Sequence, residues 1–146
     1  MSPLRSLIIS AAAIPDATAD AVNNLINGIQ SNLNHGNQEI QSVQTLQSLE
    51  SNIASASAIA TSISNVKAAL NLAIADRTSN QALTADFPTV LAGLAKVQAA
   101  QVKATATVAT LSGVAANNAP ILSGLLTTFE GGIATNQNNL ALVIFL

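Results

Sequence analysis

From Asn37 to Phe87 the chain carries neither glycine nor proline, and its apolar residues recur three and four positions apart. Ile40, Val43, Leu46, Leu49, Ile53, Ile59, Ile63, Val66, Leu70 and Ile74 keep that rhythm, which places them on one face of an α-helix. The stretch predicts one long helix or two, with SNIASAS, residues 51 to 57, as the soft point.

Breakers divide the remainder. Pro15 and Asp16 open a segment in which Val22, Leu25, Ile26, Ile29 and Leu33 fall at helical spacing, and the cluster Asn34-His35-Gly36-Asn37 is expected to close it. Asp76 to Asn80 reads as a turn. In LTADFPTVLAGL, residues 83 to 94, Thr84 or Asp86 is the expected N-cap, and Pro88 suits a first turn whose backbone donors are free anyway. Phe87, Leu91, Leu94, Val97, Val108 and Leu111 form the expected buried stripe, with Lys96 and Lys103 off it. Gly113 to Ala119 makes the next break, and Pro120 opens a last helix through Leu122, Leu125, Leu126, Phe129, Ile133 and Leu140. The Gly131-Gly132 pair favours a bend there. LALVIFL, at the C-terminus, suits a strand or a helix end, and without a second strand-like segment it is assigned to the helix.

The expectation is an all-α chain: a single antiparallel bundle of about four long helices, plus a short N-terminal one, in one domain spanning 1–146. The start, MSPLRSLIISAAAIP, reads as that short helix, residues 1–14 with Ser2 as cap and Pro3 at its first position, or as a remnant of a targeting segment. The longest fully apolar runs are far shorter than the roughly 20 residues of a spanning helix, so no integral membrane span is expected. Abundant alanine favours helix and either brings helices close or leaves space between them, which decides whether the bundle is solid or hollow.

Composition narrows the function. Only 8% of residues are charged and 2% aromatic, with a net charge of -2 and no cysteine. Soluble proteins carry roughly a quarter charged residues, so the polar surface must come from Ser, Thr, Asn and Gln. Five scattered basic residues, with neither Trp nor Tyr, give no footprint for nucleic acid. Absent cysteine removes thiolate nucleophiles, disulfides and Cys-ligated zinc. None of Glu39, Glu50 and Glu130 sits three residues before a histidine, so the di-iron pattern of helical bundles is missing. The single histidine, His35, reads as a solvated turn residue, and no G-x-S-x-G elbow, phosphate-cradling glycine loop or N-glycosylation acceptor occurs. Asp16 and Asp86 read as helix-start carboxylates. Lys67, Lys96 and Lys103 read as solvated, any of them able to neutralise an acidic headgroup. The chain is expected to be no enzyme and to need no cofactor or metal.

LTADFPTVLAGLAKVQAAQVKATATVATL, followed by the break and ILSGLLTTFEGGIATNQNNLA, resembles the fungal hydrophobic surface-binding protein A family, which includes the cell-wall galactomannoproteins. The upstream segments resemble that family's earlier helices, so the likeness spans about Asp16 to Leu142. It implies a secreted or wall-associated, non-enzymatic helical protein that adheres to hydrophobic surfaces, with some relatives enclosing fatty acids between helices.

The expected function is therefore binding of fatty acids or similar amphipaths, or adhesion to hydrophobic surfaces, through the apolar interior of the bundle. Phe87, Leu91, Leu94, Leu122, Leu125, Phe129 and Ile133 are the expected lining, because Phe87 and Phe129 are two of only three aromatics and lie on adjacent helices. The rival expectation is a solid structural bundle that self-associates through an exposed apolar end such as LALVIFL. Ice binding through KATATVAT is a weaker third, since Thr105, Thr107 and Thr110 do not repeat on one face.

Overall fold

The computed structural model describes residues 16–145, which form four helices: α1 (Asp16–Ser51), α2 (Ala56–Ala82), α3 (Pro88–Val108) and α4 (Ala115–Ile144). Short connections make successive helices antiparallel, and each helix packs on two others, α1 on α2 and α4, α3 on α2 and α4, while the diagonal pairs stay apart. This is an up-down-up-down bundle. The expected short helix at 1–14 lies outside the described residues.

All four helices bury a seam with alternating four- and three-residue steps. On α1 it runs Leu25, Ile29, Asn32, Gly36, Glu39, Val43, Leu46, and on α2 Ile59, Ile63, Val66, Leu70, Ala73, Arg77, Asn80. On α3 it runs Val90, Leu94, Val97, Gln101, Ala104, Val108, and on α4 it includes Asn118, Leu122, Leu125, Phe129, Asn136, Asn139 and Val143. Such a repeat averages 3.5 residues and keeps the seam facing its neighbours in a left-handed bundle. On α1 and α3 the seam is apolar toward both ends and polar between, whereas on α2 it ends in Arg77 and Asn80 and on α4 it begins at Asn118. One apolar cluster gathers Val43, Leu46, Ile63, Val66, Leu70, Val108, Leu122, Leu125 and Phe129 among others, and the second gathers Leu25, Ile29, Val90, Leu94 and Val143.

Several boundaries differ from the sequence reading. The Asn34–Asn37 cluster does not end α1, which continues to Ser51: His35 finds a partner on α2, Gly36 faces inward, and Asn37 bonds the Leu33 carbonyl within α1. His35 Nδ1 lies 2.7 Å from Asp76 Oδ2 on α2, so His35 is a half-buried helical residue and not a solvated turn. Asp76 to Asn80 likewise stays helical, with Arg77 and Asn80 buried. Thr84 and Asp86 do not cap α3; the N-cap is Phe87, without a side-chain bond, and Pro88 follows at the first turn. Thr84 is buried, and its Oγ1 donates to the Gln81 carbonyl at 2.8 Å. Pro120 sits inside α4, which begins at Ala115. Buried Asn118 anchors that earlier start: its Oδ1 accepts from Ser112 N, and its Nδ2 donates to Ser112 O and to Glu50 Oε1 on α1. Gly131-Gly132 runs through as helix.

The α1–α2 break falls within SNIASAS as expected. Ala54 N donates to Leu49 O at 3.0 Å and Ile53 N to Glu50 O at 3.3 Å, the bond pattern of a Schellman cap. Ile53 occupies its left-handed position at φ 54° and is 93% exposed. Ser55 then caps α2 by accepting from Ala58 N.

By length and composition α2 is the one helix among the described residues that could cross a membrane. Here it packs along α1 and α3.

Candidate functional site: a polar waist and an apolar outer face

The polar part of the seam assembles a layer between the two apolar clusters. Asn32 Nδ2 donates to the Ala73 carbonyl of α2 at 2.5 Å, and Asn136 Nδ2 donates to Asn32 Oδ1. Asn139 Nδ2 in turn donates to Asn136 Oδ1 at 3.3 Å, so three buried amides link α1, α2 and α4. On the other side Arg77 Nε donates to Gln101 Oε1 at 3.0 Å and Arg77 Nη1 to Gln81 Oε1 at 2.7 Å, while Gln81 Nε2 donates to Gln98 Oε1 at 3.1 Å. These bonds stitch α2 to α3. Burial lowers the Arg77 pKa. Buried polar groups are ordinarily satisfied because an unmade bond leaves the desolvation cost standing.

Glu39 is one of three exceptions among the described residues. It is 5% exposed, and its Oε1 has no hydrogen-bond partner. Burial pushes its carboxyl pKa up to about 8, since taking it out of water penalises the charged form. Ser62 Oγ and Asn80 Nδ2 are the other buried polar atoms without partners among the described residues.

Glu39 borders a cavity between α1, α3 and α4, whose wall includes Asn32, Gly36, Gln101, Phe129, Gly132 and Asn136. Its volume is about 20 Å³, enough for roughly one water. It is not a tunnel for an acyl chain.

The residues expected to line one pocket do not gather in one place. Leu94 is buried and Phe87 partly buried in the cluster with Leu25 and Ile29, whereas Leu122, Leu125 and Phe129 belong to the cluster with Val43 and Leu46. Phe129 and Ile133 border the waist cavity. Leu91, expected in the buried stripe, is 40% exposed, and Val90 takes the inward position, completing the four-three seam with Leu94 and Val97.

Leu91 instead opens a second feature. Leu91, Ala95, Ala99, Val102 and Ala106 of α3 and its C-cap Ala109 are all exposed, and their steps of three and four align them along one outer face. Val102 is 64% exposed. Gln98 and Thr105 lie on the edge toward α2, where Gln98 bonds Gln81 and where Lys67 borders a shallow groove with Thr105 and Ala109. Lys96 and Lys103, both exposed, run along the other edge. The outer face of α1 contrasts, being built from Asn, Gln, Ser and Thr. A second exposed apolar patch ends α4, where Ile144 is 59% and Phe145 87% exposed.

Sequence reasoning tested Glu39 only as a metal ligand and passed over Asn32, Gln101, Asn136 and Asn139. Their signal is positional: each stands in a slot where the four-three rhythm calls for an apolar residue.

Comparison with family models, with curated proteins and with solved structures returns no match for the chain.

Proposed function

We propose that this chain is a non-enzymatic binding protein that adheres to hydrophobic surfaces or amphipath aggregates through the outer face of α3. The observation that carries the reading is the exposed stripe from Leu91 to Ala109, bounded by Lys67 on one side and by Lys96 and Lys103 on the other. Contiguous exposed apolar surface rimmed by polar groups marks an interaction site, and a lysine-edged apolar helix face suits an interface carrying anionic headgroups. The resemblance to the hydrophobic surface-binding family points the same way and implies a secreted or wall-associated setting.

Enclosure of a fatty acid is the less favoured limb, because a cavity of about 20 Å³ leaves no room for an acyl chain without displacing core side chains. The test is adsorption to alkyl-coated and anionic-vesicle surfaces of the wild type and a Leu91→Gln/Val102→Gln variant. Both residues are exposed, so the fold should persist, and loss of their burial at the surface should weaken adsorption by roughly tenfold or more. Unchanged adsorption would sink the reading.

A second reading has its own observation. The exposed Ile144 and Phe145 suit self-association through the end of α4, and sedimentation of an Ile144→Ser/Phe145→Ser variant tests it by a shift toward monomer.

A further inference from the structure

We propose that the waist cavity at Glu39 is a binding site for a primary ammonium group carried on a slender aliphatic stem. Four features of the cavity converge on that chemistry. First, Glu39 borders the cavity, is 5% exposed and has an unpartnered Oε1, so once ionised it offers a strong acceptor that no described group uses. Second, Asn32 and Asn136 also border the cavity, and each side-chain oxygen accepts a single bond, leaving a further lone pair. An ammonium nitrogen supplies three donors, enough for the ionised Glu39 carboxylate and both amide oxygens, where an alcohol supplies one. Third, the volume of about 20 Å³ suits one nitrogen-sized group.

The fourth feature is the small-residue opening. Ala100, Thr128 and Gly132 border the cavity and are partly exposed, between α3 and α4. A Cβ added at Gly132 would meet nothing within 4 Å, so the groove beside it has room for a thin stem. No described cation already serves Glu39. His35 on α1 is held by Asp76 of α2, and Arg77 of α2 is held by Gln101 and Gln81. Lys67 of α2 and Lys96 and Lys103 of α3 are exposed, as is Glu130 of α4. An ammonium group would give the carboxylate the partner that burial has denied it and bring its raised pKa back down.

The experiment titrates the protein with n-butylamine, ammonium chloride, n-butanol and butyrate, reading heat and the carboxyl resonance of isotope-labelled glutamate. The expected result is one butylamine per chain, with affinity rising about tenfold per pH unit until it levels near the Glu39 pKa of about 8. The Glu39 titration midpoint should fall when amine is bound. Glu39→Gln, isosteric and checked for fold by circular dichroism, should abolish binding. Gly132→Leu should weaken butylamine while sparing the ammonium ion. Butanol binding as tightly as butylamine, without pH dependence, would overturn the cationic assignment. Ammonium binding as tightly as butylamine would overturn the stem. Absence of any binding, with the Glu39 midpoint unmoved, would leave the cavity to solvent and refute the proposal.

Discussion

Asn139 of α4 lies so close over Gly93 of α3 that any Cβ at residue 93 would overlap its Oδ1 and crowd its Cγ at 2.7 Å. The same relationship recurs between Gly28 of α1 and Asn80 of α2, so the α1–α2 and α3–α4 pairs each close on a glycine-asparagine contact. Gly93→Ala must displace a buried amide that donates to Asn136, and overpacking of this kind costs about 1–3 kcal/mol. Gly131→Ala is the control: it is exposed in α4 with nothing within 4 Å of the new methyl. It should raise stability by about 1 kcal/mol through helix propensity. Thermal unfolding followed by circular dichroism reads both signs.

Glu39 sets a pH dependence whose direction follows from its raised pKa. Between its ordinary value of 4.5 and about 8, the folded chain holds a proton that the unfolded chain has released. Stability therefore falls as pH rises through that window and is level above it. The Glu39 contribution is on the order of a few kcal/mol. Glu39→Gln should flatten the curve and leave the variant more stable than wild type above pH 8. Denaturant midpoints measured across the window check it, and a wild-type curve that rises through this window would contradict it.

Ile53 occupies a left-handed backbone position at φ 54°, where a β-branched residue is strained by roughly 1–2 kcal/mol. Its side chain, almost wholly exposed, offers little packing in return. Ile53→Gly is expected to stabilise the protein by about 1 kcal/mol, after allowance for glycine's greater freedom in the unfolded chain. A lower melting temperature would show that the left-handed cap is not formed.

Gln101 supplies the acceptor for Arg77 Nε in the buried α2–α3 seam. Gln101→Ala removes that bond while leaving the guanidinium in place, which should cost about 1–3 kcal/mol. A double-mutant cycle with Arg77→Met should show the two effects to be strongly non-additive. Simple additivity would mean that the pair does not interact in solution.

The helices themselves were legible in the residues. The glycine- and proline-free run from Asn37 to Phe87, the soft point at SNIASAS and Pro88 at a first turn follow from spacing and backbone sterics alone, because both act over a few residues. Helix ends were less so. Asn34-His35-Gly36-Asn37 and Asp76 to Asn80 have the local chemistry of turns, yet both stay helical where His35 meets Asp76 and Asn32 meets Ala73 across the α1–α2 seam.

The sequence by itself determined an all-helical chain, its neutral polar coat and its inward apolar rhythm, since propensity and periodicity are local properties. Only the tertiary structure decided that the rhythm continues through Asn32, Glu39, Arg77, Gln101 and Asn136 and that Leu91 turns outward. It also decided that the interior closes to a cavity the size of one small group. The physical reason is that a polar residue in a seam is read locally as a break, whereas its fate depends on partners a helix away. Where those partners exist the helix runs on, and at Glu39 it runs on with Oε1 unpartnered and the residue beside a small cavity.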